Sequence, residues 1–229
     1  MAMAGKNCVA IAVDKRFGSG PQMINVLPRT VLVPHSRVMI GLVGLEGDVQ
    51  TLSKEVSIQI STKMGRHLGF GDSMNNDRQI SPKSASMLLS HLLYSKRNGP
   101  YYVEPIIAGL EKVMTEEGSG NKIRNGIIAE GGNAPTTIKY KPFLCAQDLI
   151  GAQSKSAQFV CSGAASKSLY GTAEAMWRPD LQPDELVQVL GRAFLSAMER
   201  DCLSGYGSVI YLMVGGKGIE EIELAARND

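Results

Sequence analysis

The chain has 229 residues, 44% hydrophobic and 20% charged, enough to bury a sizeable core, and a single domain spanning 1–229 is expected. A net charge of +2 with scattered basic residues argues against a nucleic-acid partner, and no apolar run approaches membrane-spanning length. The four cysteines (Cys8, Cys145, Cys161, Cys202) form no CxxC and the three histidines (His35, His67, His91) stand alone, so buried free thiols in a reducing compartment are expected rather than a side-chain metal site.

Residues 8–13 (CVAIAV) predict a strand buried on both faces, with 1–4 as the stub of a partner strand and Gly5-Lys6-Asn7 as the turn. Strands at 31–33 and 38–43 follow. Val49, Leu52, Val56, Ile60 and Met64 then recur at helical spacing. Ser81 as N-cap and Pro82 at the first helical position open a second helix, which Asn98-Gly99-Pro100 stops. Strands are expected again at 103–110 and 142–150, separated by a polar, glycine-rich insertion at about 111–141. A short strand at 158–161, a helix from Gly163 to about Trp177, and a helix opened by Pro183-Asp184-Glu185 come next. The chain closes with a hairpin of 208–214 and 219–224. Strict βαβ alternation is missing, so the expected fold is α+β, a four-layer αββα sandwich of two mainly antiparallel sheets between helix layers.

Neither GSGNK (118–122) nor GGKG (215–218) has phosphate-loop spacing, and both read as turns. Asp14 ends a buried strand, and Asp201 precedes Ser204 by three residues after the last long helix. Such groups either orient a nucleophile or tie down a turn. Without a nucleophile, turn-tying is the default.

Beyond these patterns, CVAIAVDKRFG (8–18), YSKRNGPYYVEPIIAGL (94–110) and RDCLSGYG (200–207) resemble β subunits of the 20S proteasome, with support from KPFLCAQDLIG (141–151) and FVCSGAASKSLYG (159–171). PYYVEPIIAGL points to the β3-type branch. The resemblance covers nearly all of the chain outside 111–141 and the region around 65–77, and implies the N-terminal-nucleophile hydrolase fold. Active relatives attack with an N-terminal threonine whose α-amine serves as base. This chain begins Met1-Ala2-Met3-Ala4, matching a point past that threonine, and its one Gly-Thr pair, Gly171-Thr172, lies within a helix pattern. Thr30 stands where the resemblance expects the active-site lysine. Asp14, Ser162, Asp201 and Ser204 match supporting positions, so a non-catalytic remnant is expected, with either a mis-set start or a shortened first strand.

The resemblance further implies a place in a seven-membered β ring around a proteolytic chamber. Its partners would be β2-type and β4-type neighbours, the α ring above, the opposite β ring and unfolded polypeptide substrates, in cytoplasm and nucleus. Asp148, with Cys145 behind it, is expected to line the neighbouring β2-type substrate pocket and to favour basic side chains. No cofactor is required. A structural Mg²⁺ on main-chain oxygens near Asp201 and Ser204, joined in trans by terminal Asp229, is an expectation of the same kind. The alternative is an active amidohydrolase of this fold using another residue.

Overall fold

In the computed structural model the described residues are 1–20, 22–26, 31–66, 80–115 and 137–224. The first sheet comprises β1 (Ala2–Gly5), β2 (Cys8–Asp14), β10 (Phe159–Val160), β11 (Ser208–Val214) and β12 (Gly218–Leu224), ordered β10-β1-β2-β11-β12. The second holds β5 (Val31–His35), β6 (Val38–Gly44), β7 (Val103–Thr115), β8 (Thr137–Gln147) and β9 (Gln153–Ser156) in sequence order. Every pairing is antiparallel. A separate two-stranded hairpin joins β3 (Arg16–Ser19) to β4 (Gln22–Val26). The helices are α1 (Glu46–Arg66), α2 (Pro82–Ser95), α3 (Ser166–Met176) and α4 (Pro183–Met198).

The apolar side chains sort into the three interfaces that an αββα stack requires. Val9 and Ile11 of β2, Val209 and Met213 of β11, and Ile106, Leu110 and Leu144 of the other sheet fill the space between the sheets. On the same strands Cys8, Ala10, Ile210 and Leu212 face the opposite way, onto Leu169 of α3 and Leu186, Leu190 and Phe194 of α4. Val38, Ile40 and Ile107 meet Leu52, Val56 and Ile60 of α1 and Leu89 and Leu93 of α2 on the far side. Successive side chains of a strand point to opposite faces, so a strand buried on both sides must be apolar throughout. The run CVAIAV meets that requirement. α2 starts as its sequence predicts, with Ser81 Oγ accepting from Ser84 N at 3.1 Å and Pro82 at the first position.

Several boundaries differ from expectation. Strands β7 and β8 stay paired out to Thr115 and Thr137, so both ends of the expected 111–141 insertion belong to the sheet, and its remainder lies outside the described residues. The polar arm carries no burial pattern because it extends past the core. The strand expected at 142–150 ends at Gln147 in a turn, and α3 begins at Ser166 because Gly163, at φ +97°, holds a backbone no helix adopts. β3, β4 and β9 were not expected. β4 is exposed throughout and β9 is a polar edge strand, so neither has an apolar alternation to detect.

Candidate functional site

At one end of the sandwich the ends of β2, β6 and β10, the starts of α1, β7 and α3, and strand β3 enclose a cleft of about 980 Å³. Asp14, Ser162 and Ser204 all line it, so three of the four supporting positions converge although nearly the whole chain separates them.

The loop after α4 forms one wall. Asp201 Oδ2 accepts from Ser204 Oγ at 2.6 Å and Oδ1 accepts from Leu203 N at 3.1 Å, closing the turn on itself. Gly205, Tyr206 and Gly207 follow at φ +133°, +57° and +95°. For tyrosine that left-handed conformation is strained, so the loop must be held from outside. Asp14 and its neighbours hold it. Asp14 Oδ2 accepts from Gly205 N at 3.3 Å, Lys15 N donates to Gly207 O at 3.0 Å, and Arg16 Nη1 donates to Leu203 O at 2.8 Å.

Burial pushes the Asp14 carboxyl above the ordinary aspartate value, against the opposing pull of the Gly205 N–H and the Arg16 guanidinium. Between the ordinary and the raised value the folded chain holds a proton that the unfolded chain has lost. Stability therefore falls as pH rises through that window, and the ionised carboxylate is a cost above it. Asp14→Asn keeps an acceptor for Gly205 and removes the charge. Urea titrations at several pH values should show that this downward slope has gone, with a midpoint at pH 7 no lower than the parent's. A slope equal to the parent's would refute the assignment.

The opposite wall carries a contact that sequence reasoning missed. Glu104, near the start of β7, accepts from Ser162 Oγ at 2.9 Å and from Gly163 N at 3.3 Å. It ties the β10–α3 connection to the second sheet. Its one sequence signal is a carboxylate in the otherwise apolar stretch 103–110, and its partner lies 58 residues away. Among the described residues that line the cleft there is no lysine, histidine or cysteine.

The remaining expected positions separate. Asp148 is exposed and its Oδ1 accepts from Ile150 N at 3.0 Å and Ala152 N at 2.7 Å, shaping the turn after β8. Cys145, expected behind it at the pocket, is fully buried on the opposite face of β8 from Leu144 and Ala146. There it accepts from Ser86 Oγ of α2 at 3.4 Å, so its thiol cannot touch a substrate. Burial raises the Cys8 and Cys161 thiols to about 11, which keeps them protonated at neutral pH. Cys202 departs from the expectation of buried thiols and is exposed. Thr30, His67 and Asp229 lie outside the described residues.

The Mg²⁺ expectation rests on main-chain oxygens near Asp201 and Ser204 and on Asp229, which lies outside the described residues. In that turn both Asp201 carboxylate oxygens are engaged and the Leu203 carbonyl accepts from Arg16, and among the described residues no group of three acidic, histidine or cysteine side chains is close enough to hold a metal.

The model of the family described as proteasome subunit matches residues 1–137 and 134–213. Proteasome subunit beta type-3-A of Arabidopsis thaliana is 38% identical over 229 residues, covering all of this chain and 95% of the relative. Proteasome subunit beta type-3 of Picea mariana is 36% identical over 96% of this chain and 91% of its own length. The Drosophila melanogaster protein of that name is 34% identical over all of this chain and 95% of its own.

Proposed function

The chain belongs to the proteasome subunit family, and from that premise we propose that it is a β3-type subunit of the 20S core particle that builds the ring without cleaving peptides itself. The engagement of the cleft hydroxyls carries the non-catalytic part. Ser162 donates to Glu104 and Ser204 to Asp201, each spending its proton on a carboxylate. No histidine, lysine or cysteine side chain is among the described residues lining the cleft, and the Met1 amine there donates to Ala12 O at 2.9 Å. The cleft is thus a scaffold tied shut by its own hydrogen bonds.

A separate feature supports the ring-building part. The β3–β4 hairpin pairs with neither sheet, and β4 exposes Ile24 at 60% and Val26 at 41%. A two-stranded hairpin is marginal in water, so an apolar one of this kind needs a partner surface. Ile58 of α1 and Met87 and Tyr94 of α2 add exposed apolar area on the helix layer.

Asp148 extends the proposal to specificity. Its carboxylate sits at the surface on a turn that it shapes itself, which supports a role in favouring basic side chains in a β2-type neighbour's pocket. One preparation tests all of this. The tagged chain should copurify in a high-mass particle with α and β subunits, and a hydroxyl-directed electrophilic probe should label other β subunits and not this one. Asp148→Asn, which keeps the Oδ1 acceptor, should lower cleavage after basic residues alone. Labelling of a residue in this chain would overturn the non-catalytic role, and equal loss of all cleavage activities would move Asp148 from specificity to assembly.

A further inference from the structure

Adjoining the cleft, with which it shares Leu42, Glu46 and Val49, a second cavity of about 490 Å³ opens between the outer strands of the two sheets. Strand β5 ends one sheet and β12 the other, so among the described strands each has a hydrogen-bonded neighbour on one side only. Val31 belongs to the core between the sheets, yet Val33 beside the same cavity is 46% exposed. On β12, Ile219 packs against that core, and Glu221, two residues on and on the same face, points into the cavity and accepts from Tyr211 Oη at 3.3 Å. Val49 and Glu46 of α1 complete the lining, and no lysine, arginine or histidine is among the described residues there.

We infer that this groove docks a segment of a neighbouring, different subunit bearing a long aliphatic side chain that ends in a cation. The valines and Ile219 match the stem of such a side chain, while Glu221 and Glu46 match its charged head. The outer edges of β5 and β12, which have no strand neighbour among the described residues, offer main-chain hydrogen bonds to the same segment. A second copy of this chain is a poor occupant, because pairing two β12 edges would bring two strands that each carry Glu220 and Glu221 side by side. In a ring of related subunits the two carboxylates then act as a selection device, since a neighbour lacking the cation would leave their charge with only the neutral Tyr211 and Gln50 donors.

The inference rests on the ring-building role, and the test separates the two. Tagged chains are coexpressed with the other subunits and their incorporation into the high-mass particle is measured. Glu221→Lys should lower incorporation by at least about tenfold. Glu220→Lys, on the opposite face of the same strand, should incorporate like the parent. Glu46→Gln retains an acceptor for Gln50 and leaves the helix intact, which guards against a folding artefact. Particles containing it should shed the chain at lower salt than the parent does. Parent-like behaviour of both groove variants, equal loss for Glu220→Lys and Glu221→Lys, or a dimer of this chain alone that Glu221→Lys dissolves would each overturn the docking role. Exclusion of the parent chain itself would overturn the ring role, and docking with it.

Discussion

Gly44→Ala is expected to destabilise the folded chain strongly. A Cβ at this position would sit 1.9 Å from the Tyr102 carbonyl oxygen and 2.8 Å from Val103 Cα. Both obstacles are backbone, so no rotamer change relieves them. Neither strand can retreat. Gly44 pairs with Val103 across the β6–β7 ladder, Leu45 N donates to Tyr102 O at 2.8 Å, and Asp48 Oδ2 of α1 accepts from Tyr102 N at 2.9 Å. Overpacking and the strain of φ +152° together should cost about 4 kcal/mol, much of a typical domain's stability. Gly47, three residues on in the first turn of α1, is the matched control, because an added Cβ there meets nothing within 4 Å. Gly47→Ala should gain about 0.5 kcal/mol from helix propensity alone. Urea midpoints decide the pair, and a Gly44→Ala midpoint equal to the parent's would show that the cleft floor is not rigid.

Phe194→Ala should cost about 3–5 kcal/mol. Phe194 is 3% exposed on α4, packs in the core beneath the first sheet, and also contributes to the cleft wall. Its removal would leave a void continuous with the cleft, while Leu190 and Ala197 one turn away are already buried against the sheet and cannot swing in to fill it. Phe194→Leu should recover most of the loss, since it restores much of the volume. Equilibrium unfolding of the two variants checks this. A loss below about 1 kcal/mol for the alanine form would mean that α4 does not depend on this contact.

The same residues show how much of the molecule was legible beforehand. The layers were. Cys8 to Val13 is apolar at every position because β2 is covered on both faces, and Val49, Leu52, Val56 and Ile60 repeat at helical spacing because α1 is covered on one. Elements with no buried face left no such trace, which is why β3, β4, β9 and the outer arms of β7 and β8 went unexpected. In the site, Asp201 and Ser204 are three residues apart, so their contact follows from local geometry and was foreseeable as a turn.

Sequence alone determined the local chemistry and the order of layers, since periodicity, caps and turn residues act over a few positions. The tertiary structure decided which groups meet. That Glu104 takes the Ser162 hydroxyl, that Cys145 faces α2 and not the surface, and that Glu46 and Glu221 share one groove all depend on strand register and sheet stacking. Register is a long-range quantity, and a one-residue shift would turn Glu104, Cys145 and Glu221 to the other faces of their sheets.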